Sequence, residues 1–342
     1  MKWIFKIALF VALVIAMNWQ YEQWAYKEYV FREADQVMQI EKVKNADVIY
    51  LSASSNFSPR PQEEDPRKLS QFVGNYFPSL LFEAINTPAS HAGSHVDLLR
   101  FIPEKNKIQT VVCVINLRSM GPDWLHSSLE TALNKQGVMY QSRPPIINRF
   151  LTSLGAYDNK TIEEREDERA DMWAAPNLPF PSPRTNVNEW CALYKWGEWT
   201  DPKRQLADQY IKQYAYVVGE NNPRIKDLDE IVSVSKERGW NLVFSILSEN
   251  IVDAELLAGP ELTQLMTMNV EWIKSRYEID AMVVDNLNLL EPVNFHDKDF
   301  PTEHYNEEGR KRIASNIAHR LKHYHKNAFR NAVWEAELNP IK

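Results

Sequence analysis

Glycine is scarce in this chain, 10 of 342 residues, and cysteine is scarcer, at two. Cys113 sits inside the apolar run Val111 to Ile115 and Cys191 lies far away in a tryptophan-rich segment, so no disulfide framework is supported and the redox compartment stays open. Within its apolar run Cys113 reads as a buried thiol acting as a small hydrophobe. A dense basic stripe is also missing. The formal charge of -7 is mild and spread out, which argues against nucleic acid as the main partner. With 44% hydrophobic residues the composition is not that of a disordered chain, and the length suffices for one large globular domain or two modest ones.

The first residues are lysine-flanked and apolar. Lys2 and Lys6 precede or interrupt a core running to Met17, and Trp19 and Tyr21 follow as interfacial aromatics. Crossing a bilayer takes roughly 20 mostly apolar residues, a length that Trp3 to Tyr21 just reaches if the Lys6 side chain snorkels. Ala16-Met17-Asn18 is a poor small-x-small cleavage site and no lipobox cysteine is present, so residues 1-21 are read as an uncleaved anchor rather than a cleaved signal peptide. The positive-inside rule then places the amino end in the cytoplasm and the body outside it, periplasmic or at the cell surface. Residues 22-44 read as a stalk or first packing helix.

Five short apolar runs follow: Val48 to Leu51, Phe82 to Ile85, Val111 to Ile115, Leu242 to Leu247 and Ala281 to Val284. Val48 to Leu51 is continuously apolar, as suits a strand buried on both faces, and helical stretches separate most of the runs. The pattern predicts an α/β fold, a doubly wound parallel sheet of about five strands spanning residues 45-325, with 326-342 as a C-terminal tail. A long insertion, about residues 121-239, separates the third strand from the fourth. It holds the charge run Glu163 to Arg169, read as a solvated helix face, and the proline-rich Ala175 to Pro183, which excludes regular helix or central strand. Trp190, Trp196 and Trp199 come soon after it. Such insertions are often lids or binding loops, and these rings suit either core packing or stacking on sugar or lipid.

In open α/β sheets the reactive groups collect at the carboxyl ends of strands. Here those ends carry Ser52-Ala-Ser-Ser-Asn56, Asn86-Thr-Pro-Ala-Ser-His-Ala-Gly93, Asn116-Leu-Arg-Ser119 and Asp285-Asn286. His304 follows in a polar loop just ahead of a helical pattern, where an imidazole can exchange a proton near neutral pH. Ser54 is the matching candidate nucleophile. Arg118 is read either as an anion-binding cation or as a salt bridge at the sheet edge. His91 and His95, four residues apart, share a spacing suited to metal ligation, but no third ligand stands at a diagnostic spacing. Neither a metal nor a cofactor is assigned. Asn286-Leu287-Asn288 either lines the cleft or simply forms a turn.

These strand-end residues resemble the SGNH hydrolase superfamily, serine esterases and acyltransferases on a flavodoxin-like sheet. In the family's Gly-Asp-Ser turn this chain keeps only the serine, Ser54 of Ser52-Ala53-Ser54. The second block, a glycine whose backbone amide faces the oxyanion, falls in Asn86 to Gly93, with Pro88 where glycine is expected and Ala89 or Gly93 as substitutes. The third block's oxyanion asparagine corresponds to Asn116, without its glycine and aspartate. The last block, Asp-x-x-His, has Pro301 in place of the aspartate, while His304, Asn306 and Gly309 match. Asp299, or Asp297 two residues earlier, is the substitute orienting carboxylate; Asp299 is assigned, with Glu303 expected to point away. A Ser-His dyad oriented by a backbone carbonyl also satisfies the pattern.

The resemblance implies that His304 deprotonates Ser54 and that Asn116 with backbone amides holds the oxyanion, with Arg118, Asn86 and Gly93 lining the substrate side. Anchored, exported members of this kind work beside membrane-bound O-acyltransferases on cell-envelope polysaccharide, so an acylated carbohydrate or other envelope ester is the implied substrate. Hydrolysis and acyl transfer both remain open. The opposing reading is a non-catalytic envelope protein that keeps the fold and binds glycan or a membrane partner.

Overall fold

The computed structural model describes residues 2–33, 36–141, 143–174, 190 and 201–338. The proline-rich stretch, Cys191, Trp196 and Trp199 lie outside these.

The five apolar runs form one sheet: the three central strands are almost wholly buried, and the edge strands are partly buried. The strands are β1 (Val48–Ser52), β2 (Phe82–Asn86), β3 (Thr110–Ile115), β4 (Asn241–Ile246) and β5 (Met282–Asp285). All neighbours are parallel, in the order β2-β1-β3-β4-β5. The fold is therefore α/β. The sheet's period of two sends Ile49, Leu51, Val111, Cys113, Phe244 and Ile246 into one core and Val48, Tyr50, Val112, Val114, Val243 and Val284 into another.

In chain order the helices are α1 (Lys2–Tyr21), α2 (Lys27–Glu33), α3 (Gln36–Val43), α4 (Leu69–Gly74), α5 (Ala92–Phe101), α6 (Pro122–Leu125), α7 (Ser128–Gly137), α8 (Pro145–Ser153), α9 (Ile162–Ala174), α10 (Pro202–Tyr214), α11 (Pro223–Arg238), α12 (Ile251–Ala258), α13 (Pro260–Tyr277) and α14 (Glu307–Leu321). α5, α11 and α13 line the first core; α4 and α14 line the second. Helices thus cover both faces, which is why the strands lack polar alternation.

α1 stands apart. Its apolar side chains are exposed, Trp3 by 77% and Phe10 by 67%, and a π-helical turn carries it on to Tyr26. It is long and apolar enough to span a membrane. Behind it, Ile40 and Val43 of α3 enter the first core, so the end of segment 22-44 packs against the domain.

Residues 326–338 of the C-terminal segment pack on the domain: Phe329 and Trp334 lie on Tyr76, with ring centroids 5.8 and 5.3 Å away, and belong to the second core. The charge run in α9 is solvated only in part. Glu163, Glu164 and Asp167 face solvent, whereas Arg165 holds Asp158 at 2.7 Å and Glu166 accepts from Ser128 N, pinning α9 to α7.

Candidate active site

The strand register sets the carboxyl ends side by side. Leu51 pairs with Cys113, so Ser54 and Asn116 each lie three residues beyond one rung, and Ser52 pairs with Asn86. After β1 the chain enters a single 3₁₀ turn, Ser54–Asn56. Asn56 holds that turn from beneath: fully buried, it accepts from Ser70 N at 2.6 Å and donates to Ser70 Oγ and Asn86 Oδ1. Ser52 Oγ donates to the same Asn86 oxygen at 3.0 Å. Asn86 thereby braces the serine turn through its amide oxygen.

His304 is positioned from the other end of the sheet. Phe295 and Tyr305 form an antiparallel bridge, and His296 N donates to His304 O at 2.8 Å, so residues 297–303 close as a loop beside the imidazole. Behind it Asn306 caps α14 by accepting from Gly309 N at 2.9 Å. Gly309 fits closely there: a Cβ would stand 3.1 Å from both Asn294 O and Tyr305 Cβ.

The result is a linear arrangement. Ser54 Oγ is 3.0 Å from His304 Nε2, and His304 Nδ1 is 2.7 Å from Asp297 Oδ2. A carboxylate only accepts, so Nδ1 carries the proton and Nε2 is left to accept from the serine hydroxyl. Ser54 is partly exposed, and His304 and Asp297 are each 30% exposed, so a reacting group can reach them. The orienting carboxylate is Asp297, not Asp299, which makes no hydrogen bond to the imidazole among the described residues. Partial burial works to raise the Asp297 pKa, but hydrogen bonds from Thr302 and His304 and the charge of Arg60 outweigh it and hold it below the ordinary value. Thr302 Oγ1 donates to Oδ2 at 2.6 Å and Arg60 Nη2 to Oδ1 at 3.0 Å.

The remaining assignments divide. Asn116 Oδ1 accepts from Arg118 N at 2.9 Å, and its Nδ2 donates to Glu303 Oε2 at 3.1 Å, which leaves one N–H uncommitted. Arg118 is buried and forks onto the Glu303 carboxylate, its guanidinium 5.6 Å from the Trp124 ring centroid and 5.9 Å from that of Phe300. It is a structural ion pair and not a cation offered to substrate, the bland alternative of the two. Burial works against its charge, but the neighbouring Glu303 more than restores it. Glu303 points away from the imidazole, as expected, and is buried against Arg118 and Asn116. Beneath it the buried Glu249 accepts from Tyr214 OH at 2.6 Å; burial and the Glu303 charge push its pKa well up. Sequence reading missed this acidic layer, because Glu249 follows β4 without any motif around it.

Gly93 N is taken by His91 Nδ1 at 3.1 Å, and a Cβ there would meet Asp227 and Arg224, so this glycine serves packing and not an oxyanion. The turn before it is of another kind. Ser90 N bonds Thr87 O with Pro88 first and Ala89 second, and Ala89 has φ +57°, the left-handed conformation a glycine ordinarily takes. Ala89 N–H makes no hydrogen bond among the described residues. His91 and His95 are both buried and have different partners: Arg224 for the first, Ser90 and Cys113 for the second, whose pKa burial lowers to about 3. Asn286 is a brace, donating to Ile246 O at 2.7 Å and accepting from Asn316.

No protein-family model and no curated protein matches this chain.

Proposed function

We propose that the protein is a serine esterase or O-acyltransferase of the SGNH type, built on a flavodoxin-like doubly wound sheet. The observation that carries this reading is His304 held between Ser54 Oγ at 3.0 Å and Asp297 Oδ2 at 2.7 Å, the geometry of nucleophile, base and orienting acid. His304 Nε2 takes the Ser54 proton as Oγ attacks an ester carbonyl, and Asp297 stabilises the imidazolium that forms. The oxyanion is received by the uncommitted Asn116 N–H and the unpaired Ala89 N–H. Collapse of the tetrahedral intermediate expels the alcohol, which takes the proton back from His304. The acyl-serine then passes to water or to an acceptor hydroxyl by the same steps reversed.

The apolar α1, with Lys2 and Lys6 at its start, supports an anchor whose body lies on the extracytoplasmic side. On that side the ester substrate is an acylated envelope carbohydrate, with a membrane-bound O-acyltransferase as a working partner. The test is covalent labelling by a fluorophosphonate: the wild type is labelled, whereas Ser54→Ala and His304→Ala are not. A folded wild type that takes up no label returns the protein to the non-catalytic, glycan-binding reading.

A further inference from the structure

α8 is built inside out. A helix on a water-soluble domain turns its apolar stripe to the core, yet here the buried residues are Asn148 and Thr152, while Ile147, Phe150 and Leu154 at its end are 39%, 59% and 63% exposed. The three apolar positions, spaced three and four apart, make one stripe on the outward face. The inward polar residues bond within the domain: Thr152 Oγ1 meets Tyr29 OH at 2.7 Å, and Asn148 Nδ2 donates to Gln141 O.

Its place in the molecule says what covers that stripe. Ile146 N, in the first turn of α8, donates to Asn18 Oδ1 at 3.1 Å, and Asn18 lies at the end of α1 where the apolar run gives way to Trp19 and Tyr21. Trp19 and Trp24 beside it are 65% and 77% exposed, the aromatic pair expected where a membrane helix leaves the hydrocarbon. α8 is thus tied to the level at which α1 emerges.

We infer that α8 is an interfacial membrane helix, its Ile147–Phe150–Leu154 stripe seated at the headgroup and acyl boundary of the bilayer that α1 crosses. Such helices sink about 5–10 Å into that boundary. A second copy of the chain fits less well: a nine-residue helix, about 14 Å long, cannot supply the roughly 800 Å² per partner of a stable protein interface. The helix gives the body a second, rigid point of attachment and so fixes its tilt against the membrane surface. This inference rests on α1 being an anchor.

The test uses the full chain in lipid nanodiscs, with Cys191→Ser and Cys113 left in its buried position. An environment-sensitive fluorophore is placed at Phe150→Cys, at Leu154→Cys, at Leu9→Cys within α1, and at Val333→Cys, which is 95% exposed. The 150 and 154 probes should shift to the blue and be quenched by lipids spin-labelled near the headgroup, the Leu9 probe by lipids labelled deep in the chain, and the Val333 probe by aqueous iodide alone. If the Leu9 probe is quenched by deep label while the α8 probes follow iodide, α1 is an anchor and the inference about α8 is wrong. α8 probes shielded from both quenchers mean a protein cover and overturn it equally. A Leu9 probe open to iodide removes the anchor and the inference with it.

Discussion

Replacing Asp297 by asparagine asks the site for something it cannot give. The two carboxylate oxygens face three donors: Arg60 Nη2 on Oδ1, and Thr302 Oγ1 with His304 Nδ1 on Oδ2. Asparagine has one oxygen, so it can satisfy only one side. If the oxygen stays with Arg60, the amide N–H₂ faces His304 Nδ1, drives the imidazole proton to Nε2 and abolishes the acceptor that Ser54 needs. If the oxygen turns to His304, the imidazolium loses its counter-charge and Arg60 faces an N–H₂. In enclosed serine triads the equivalent change costs about 10⁴ in rate. Here both partners are 30% exposed, so water stabilises part of the imidazolium charge and the expected loss is smaller. We expect labelling of Ser54 by a fluorophosphonate to slow about 10²–10³-fold, or about 3–4 kcal/mol of barrier at 1.36 kcal/mol per tenfold. The assay is the pseudo-first-order labelling rate at neutral pH for wild type, Asp297→Asn and Asp299→Asn. Asp299→Asn should match wild type. The reasoning is refuted if Asp297→Asn labels at the wild-type rate, or if Asp299→Asn is the slower variant.

Burial and the Glu303 charge raise the Glu249 pKa in the fold, so its contribution to stability is complete below the ordinary glutamate pKa and drains away as pH rises toward the folded value. Glu249→Gln, which can still accept from Tyr214, should flatten the fall of the thermal midpoint between mildly acidic and alkaline pH; parallel curves for the two proteins would contradict this. Gly309→Ala drives a methyl to 3.1 Å from Asn294 O and Tyr305 Cβ, immediately behind His304. It should lower the thermal midpoint, with about 1–3 kcal/mol of overpacking, and slow Ser54 labelling too; unchanged labelling would show that the His304 loop tolerates the shift.

Much of this architecture is legible in one dimension because its causes are local. Strands buried on both faces are apolar along their length, so β1 and β3 stand out in the sequence as continuous apolar runs. A parallel sheet gathers its reactive groups at one edge, which singles out Ser54 and His304 although 250 positions separate them. The apolar α1 declares itself by composition alone. What failed to show were the pairings that depend on how loops return. Asp297 lies seven residues before His304, and the bridge between Phe295 and Tyr305 is what folds it against the imidazole; no spacing rule distinguishes it from Asp299. Arg118 looks free at a strand end until Glu303, 185 residues away, arrives to claim it. Gly93 stands where a backbone donor belongs, yet its N–H is taken by His91. The stripe on α8 is similarly ambiguous as text, because amphipathic spacing does not say which face turns inward. Composition and period thus determine which segments become strands, helices and the long apolar helix at the amino end. Which polar side chains remain available for chemistry depends on long-range partners, since a hydrogen bond joins atoms close in space, however far apart they lie along the chain.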